Sequence, residues 1–348
     1  MESRGRPTLR SIADAAGVSV ATVSKVVNQR SDVSAATRAR VERLLAERDY
    51  PYRSMGRPPS SRRVIELAFD ALTSPNIVDI IRGAVELADT HGFEVVIAEV
   101  PDDALGIAWA RRLTSLECAG VILVTATLTT QQRRQLARLR IPIVGIDTGP
   151  LASPATLVTS DNEKGAYEVT RHLVGLGHQH ICLIAGPDSS PVSMPRQRGF
   201  ESALSDAGLA IDGDGIRESL FTVDGGFAAA SYLLAREPRP TAIVASNDLQ
   251  ALGALQAARR WQIPVPDSLS ISGFDDTATA KWCDPPLTTV RQQFSEMGRE
   301  AVRRVSTSAS HSGAPTAERP MPVELVVRAS TAPPGDRPGN RSETVSDN

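Results

Sequence analysis

The sequence predicts an α/β protein in which a small all-α module precedes a larger body of parallel sheets covered by helices. Three observations carry this. Residues 1–63 hold three short helical patterns and no strand pattern. From Val64 onward short apolar runs alternate with helical patterns, the rhythm of βαβ units, and the rhythm runs twice. The charge divides at the same place: residues 1–63 carry 13 Lys and Arg against 6 Asp and Glu, net +7, and the rest carries 25 against 34, net −9. A basic module suited to a polyanion therefore precedes an acidic body that avoids one.

The first helix starts after Thr8, a good N-cap, places Leu9, Ile12, Ala13 and Ala16 at helical spacing, and stops at Gly17, which tolerates the left-handed conformation. Ser19 caps a second helix over 20–28. At 100° per residue, Val23, Val26 and Val27 share one arc, and Val20, Ala21, Ser24, Lys25 and Asn28 share the other. A third helix, capped by Ser34 and running over 35–48, turns Val41, Leu44 and Leu45 inward and leaves Arg38, Arg40, Arg43 and Arg48 outward. Two short helices around a glycine-bearing turn, beside a basic third helix, form a helix-turn-helix.

The run TLRSIADAAGVSVATVSKVVNQRSDVSAATRARVERLLAERDY resembles, without a gap, the headpiece of the LacI/GalR family of bacterial regulators. The resemblance implies a partner, double-stranded operator DNA, with Val20, Ala21 and Lys25 as base-edge readers and Thr8, Thr22, Ser24 and Asn28 on phosphates. Lys25 can donate to guanine O6 or N7, whereas Val20 and Ala21 read only shape and thymine methyls. In that family the next stretch reads Asn-x-x-Ala-Arg-x-Leu, folds on DNA and inserts its leucine into the minor groove. This chain departs from the pattern. Its segment 51–63 holds Gly56 and Pro58-Pro59, which oppose a helix, and Pro59 falls where the leucine is expected. Three readings stay open: Met55 as the wedge of a shorter helix, an extended arm inserting Arg53 and Arg57 into a narrow minor groove, and a flexible basic linker.

In the body, the first lobe reads VIELAF, a helix over 77–91, FEVVIAEV, a helix over 106–116, GVILVT, a helix over 129–140 and PIVGID. The second reads a helix over 167–176, ICLIAG, helices over 196–207 and 226–236, TAIVAS, a helix over 247–260 and SISGFDD. No G-x-G-x-x-G follows the first strand, and Walker A, G-x-S-x-G and H-E-x-x-H are absent, which argues against a nucleotide, hydrolase or metal enzyme and predicts no cofactor. The runs HLVGLGHQHICLIAGP, RQRGF, SNDLQALGALQAAR, SISGFDDT and DPPLTTVRQQFSEMG extend the LacI/GalR resemblance to about residues 8–330. Within the family this half looks most like actinobacterial sugar-utilisation repressors. The resemblance implies a two-lobed, periplasmic-binding-protein-like (type I) sensor with three crossovers and a ligand between the lobes, where strand carboxyl ends meet.

The family's effector-binding arginine falls on Arg196, its amide on Asn247 and its carboxylate on Asp275. A guanidinium fork and a carboxylate suit the hydroxyls of a polyol. Loops after strands add Asn76, Thr125, Asp147 and Asp161, and Phe294 and Trp282 offer faces for a sugar ring. Asn247 also fits as the cap of the helix after it.

The expected organisation is a headpiece over 1–50, a hinge over 51–63 and a sensor over 64–330. Its lobes are 64–160 with 291–308, and 161–290 with 320–330. A surface loop spans 307–319, VELVV adds a strand, and a disordered tail follows from 331. Cys118, Cys182 and Cys283 lack paired spacing and read as reduced thiols. The N-terminus has no apolar signal core, and no run reaches the ~20 apolar residues of a membrane span. The expectation is a cytoplasmic homodimer, with a tetramer open, that represses carbohydrate-utilisation genes under a small sugar effector. The alternatives are a sugar-acting enzyme with a DNA-binding domain and a corepressor-dependent regulator.

Overall fold

The computed structural model describes residues 8–27, 33–47, 63–100, 106–149, 151, 157–211, 213–309 and 319–335. The chain divides into two units, Met1–Arg62 and Arg63–Asn348.

The first unit contains α1 (Leu9–Ala16), α2 (Val20–Val27) and α3 (Ala35–Glu47). Its local signals act as read. Thr8 and Ser11 form a capping box, and Gly17 ends α1 at φ 65°. The Ser19 hydroxyl accepts from the Thr22 amide at 3.1 Å, and Ser34 accepts from the Thr37 amide at 3.3 Å. Ile12, Ala13, Ala16, Val23, Val26, Val41 and Leu45 close one small core. The positions proposed as Asn28, Arg53, Met55 and Arg57, with Arg48 and the Pro58-Pro59 pair, lie outside the described residues.

The second unit opens with β1 (Arg63–Phe69), α4 (Ile77–Thr90), β2 (Phe93–Glu99), α5 (Ile107–Ser115), β3 (Cys118–Val124), α6 (Thr130–Leu139), β4 (Ile143–Ile146) and β5 (Leu157–Val158). These strands form one parallel sheet, order β2-β1-β3-β4-β5. The second lobe runs α7 (Asn162–Gly175), β6 (Ile181–Ala185), α8 (Ser193–Asp206), β7 (Ile216–Glu218), α9 (Val223–Leu234), β8 (Ala242–Ala245), α10 (Asp248–Arg260), β9 (Ser270–Ser272) and α11 (Ala278–Trp282), with parallel order β7-β6-β8-β9. Continuous apolar strands such as β6, buried along its whole length, follow from helices covering both faces of a parallel sheet.

The chain then crosses back. β10 (Thr289–Arg291) pairs antiparallel with β11 (Glu324–Val326), and between them α12 (Phe294–Ala309) returns to the first lobe. There Met297, Ala301, Val302 and Val305 join Ile65, Leu67 and Phe69 in one core. The α4–α12 contact needs glycine on both sides. A Cβ at Gly83 would stand 1.8 Å from the Ser295 carbonyl oxygen, and one at Gly298 would stand 2.2 Å from that of Ile80. Parallel bridges Ser160–Met321 and Asp275–Arg291 mark where crossing segments run side by side.

Two expectations change. Helix α12 continues to Ala309, so the loop expected from Thr307 begins later, because Val305 on its inner face is fully buried and holds the last turns to the first lobe. The tail expected to be disordered from Thr331 is ordered through residue 335. Ser330 lies along the open edge of β9, its carbonyl accepting from the Ile271 amide at 2.9 Å. The buried His178 ring then reaches the Ala332 carbonyl at 2.9 Å and the Ser270 hydroxyl at 3.0 Å. Satisfying these buried polar groups fixes the strap in place.

Candidate functional site

In the headpiece, α2 presents two faces. Val23 and Val26 are fully buried, whereas Val20 is 43% exposed and Ala21 and Lys25 are exposed beside it, with Thr22 and Ser24 half-buried. Thr8 is exposed at the start of α1. Small residues at the open start of a helix let its backbone approach a partner closely, and its amides favour anions there. This surface suits a phosphate backbone and carries one exposed cation of α2, Lys25.

In the sensor, candidate residues follow the carboxyl ends of parallel strands: Thr125 after β3, Asp147 after β4, Gly186 after β6, Ser246 after β8 and Asp275 after the β9 edge. The geometry there is strained. Thr125 (φ 54°), Asp147 (φ 48°), Asp275 (φ 111°) and Asp276 (φ 53°) all adopt positive φ without being glycine.

Arg196, on the first turns of α8, is only 4% exposed and organises the cleft floor. Its Nε donates to Asn162 Oδ1 at 2.8 Å, its Nη1 to the Ser246 carbonyl, and its Nη2 faces Asp275 Oδ1 at 3.5 Å. Its guanidinium carbon lies 3.9 Å from the centre of the Phe274 ring. Gln292 Nε2, from the crossover after β10, donates to the same Asp275 oxygen at 2.6 Å. Asp147, from the first lobe, is buried and accepts from Thr159 at 2.7 Å. Burial pushes its carboxyl above the ordinary range, against the Thr159 bond and the charge of Arg196. The Arg196, Asp275 and Asp147 charges thus act on one another across the two lobes.

Among the described residues, three buried polar atoms in this neighbourhood have no hydrogen-bond partner: Ser193 Oγ on the first turn of α8, Ser246 Oγ and Gln292 Oε1. Buried polar atoms left unpaired are costly, so a cleft that keeps several suits a hydroxyl-rich ligand. Beside them, the half-buried Phe221 ring lies so near Gly186 that a Cβ there would meet it at 2.1 Å. A further cavity of about 350 Å³, lined in part by Asp79, Asp275, Lys281, Gln292 and Phe294, opens between the lobes.

The remaining expected residues are not all on the cleft floor. Asn247 caps α10, accepting from the Gln250 amide at 2.8 Å, and its Nδ2 donates to the Phe221 carbonyl at 3.4 Å. Asp161 caps α7, accepting from the Lys164 amide at 3.2 Å, and lines a groove with Glu163, Tyr167 and Gly199. Phe294 does not stand free as a ring platform. It is 5% exposed in the first-lobe core, because α12 starts there and must bury its first apolar residue. Trp282 is 82% exposed on α11. Asn76 is half-buried ahead of α4 and accepts from Ser74 at 2.7 Å, and Thr125 is exposed, its hydroxyl donating to the Val124 carbonyl. Sequence reasoning missed Asn162, Ser193, Phe221, Ser246 and Gln292. The position of Ser246 directly after TAIVA was the available signal, since strand ends carry ligand contacts in open α/β sheets.

Comparison with known proteins agrees with both halves of this geometry. Residues 8–51 match the model of bacterial regulatory proteins of the lacI family, and residues 170–331 match that of a periplasmic binding protein-like domain. The HTH-type transcriptional regulator DegA of Bacillus subtilis is 34% identical over 334 residues, 94% of this chain and 99% of DegA. Among solved structures, a complex of the transcriptional regulator CelR with cellobiose superposes with TM-score 0.72 at 30% identity, covering 93% of this chain and all of that one. A lac repressor dimer bound to operator and the anti-inducer ONPF gives TM-score 0.73 at 29% identity, covering 94% and 99%. The chain belongs to the LacI family of bacterial regulatory proteins and is a DNA-binding transcription regulator, not an enzyme.

Proposed function

We propose that the protein is a cytoplasmic homodimeric repressor of carbohydrate-utilisation genes, whose operator affinity is set by a small sugar bound between the sensor lobes. The observation that carries the effector class is the Arg196–Asp275 pair set among the unpartnered Ser193, Ser246 and Gln292 atoms. A guanidinium and a carboxylate grip adjacent hydroxyls from opposite sides, and unpaired acceptors and hydroxyls take the rest. The half-buried Phe221 supplies a face for the sugar ring. The similar transcriptional regulator CelR is solved in complex with a sugar, cellobiose. Dimerisation follows from the headpiece: one small helix-turn-helix gives little specificity, and two of them on a two-fold operator multiply it, as in the lac repressor dimer bound to its operator. Sugar and operator then influence each other's affinity reciprocally.

The test is a thermal-shift panel of mono- and disaccharides on the full chain, followed by gel shift of operator DNA with each hit. The expected result is a sugar that raises the melting temperature and releases DNA. A sugar that instead tightens operator binding selects corepression, and turnover of a sugar refutes the reading. On DNA, Lys25→Ala is expected to cost about 1–3 kcal/mol at a guanine position and to leave an operator altered at that position unaffected.

A further inference from the structure

Beneath the turn that carries Asp275 sits a second buried acid that the effector reading does not use. Asp248 opens α10 directly beneath the Gly273–Asp276 turn and is 1% exposed. Its Oδ2 accepts from the Thr277 amide at 2.7 Å and the Thr277 hydroxyl at 2.9 Å, and its Oδ1 accepts from Thr289 at 2.6 Å. Its backbone amide bonds the Phe274 carbonyl at 2.9 Å, and its Oδ1 lies where a Cβ on Gly273 would meet it at 2.5 Å. Asp248 therefore holds up the turn that presents Asp275.

The charge balance of this floor does not close. Asp147, Asp248 and Asp275 are all more than nine-tenths buried, and Arg196 is the one buried cation among them. Among the described residues the charged groups acting on these four are one another, and Asp248 acts in turn on the Cys283 thiol. Asp276, next along the turn, is already paired with Arg291 at 2.8 Å and with Arg328. Three carboxylates against one guanidinium leave two negative charges out of water, which a protein interior tolerates poorly.

We propose that Asp248 and Asp275 together hold one proton at neutral pH in the ligand-free protein, so that the acceptor Asp275 is gated by pH. The pair is the natural place for the proton. Asp147 stands on the other lobe, whereas Asp248 supports the turn that carries Asp275, and the Asp275 charge acts on it. Burial and the charge of Asp275 push Asp248 up to about 7, against the bonds it accepts from Thr289 and Thr277. Burial pushes Asp275 up to about 6, against the pull of Arg196 and the Gln292 bond. The consequence rests on the sugar reading of the cleft: hydroxyls donate to ionised Asp275 and compete with its proton. Effector affinity is then full above the pair's titration and falls up to about tenfold per pH unit below it, since one proton is expelled per ligand.

The test uses the full chain without ligand, labelled with carbon-13 at the aspartate carboxyl, followed by NMR from about pH 4 to pH 8. The expected result is a carboxyl resonance titrating roughly 2 units or more above the ordinary aspartate value near 3.9. Asp248→Asn should remove one such resonance, and the raised resonance that stays, held up by burial, belongs to Asp275. If every aspartate of the wild-type protein completes its titration below about pH 5, the proposal is overturned. The wild-type titration decides this even where the variant does not fold. Because no sugar is present, that failure leaves the effector reading standing, and failure of the sugar panel leaves the proton standing.

Discussion

Removing the Arg196 guanidinium is the sharpest perturbation of the cleft, because its partners are all buried. In Arg196→Met the apolar stem is kept, so packing against Phe274 survives in part, but Asn162 Oδ1 and the Ser246 carbonyl lose their donor. Asp275 and Asp147 lose the one cation that offsets them. Breaking a buried charge pair by deleting one member costs about 3–5 kcal/mol, most of it from the charge left behind. Asp275→Asn removes one of those charges while leaving an oxygen for Gln292 to bond. The double variant should therefore be less destabilised than the two single costs summed, by roughly 1–3 kcal/mol. The assay is urea unfolding followed by tryptophan fluorescence. All three tryptophans, Trp109, Trp261 and Trp282, lie in the sensor unit, so the signal reports that unit alone. A cycle that closes additively to within about 0.5 kcal/mol refutes the electrostatic coupling on which the cleft description depends.

Two further outcomes test the scaffold. Gly83→Ala should destabilise the sensor unit by about 1–3 kcal/mol or more, since the new methyl would overlap the Ser295 carbonyl at 1.8 Å, and the same fluorescence assay reads it. His178→Gln should flatten the acid side of the stability profile. Burial lowers the His178 pKa in the fold, so below about pH 6.5 the unfolded chain binds a proton that the folded one refuses, and stability falls by up to about 1.4 kcal/mol per pH unit. His172, lowered by the same cause, adds in the same direction. The raised Asp248 and Asp275 act oppositely, losing stability as pH rises through their folded values of about 7 and about 6. The measurement is therefore wild type minus variant across pH, and an unchanged slope in the variant refutes the role given to His178.

The headpiece was legible almost residue by residue, because its determinants are local. Thr8, Gly17, Ser19 and Ser34 set helix ends within three residues of themselves, and the valine arc of α2 needs only helical geometry to face inward. The βαβ rhythm fixed two parallel sheets in the same way, since strands buried on both faces carry continuous apolar runs. Arg196 and Asp275 were named from motif alone, and the fold brings them to one place across 79 positions of sequence.

What the sequence left undecided depended on contacts that no local pattern encodes. An N-cap asparagine and a ligand-binding asparagine look alike, and only the fold shows both polar ends of Asn247 occupied. A phenylalanine after a crossover fits a sugar face or a core equally well, and the close α4–α12 approach decided for Phe294. The residues after Ser330 read as a polar tail, yet the open edge of β9 and the buried His178 supply partners for them. By itself the sequence determined the helix ends, the parallel strand order class and the two charged anchors of the cleft, all set by short-range propensity or residue type. Only the tertiary structure decided the surplus of carboxylates beneath Asp275, because a charge imbalance exists once distant groups share one volume from which water is excluded.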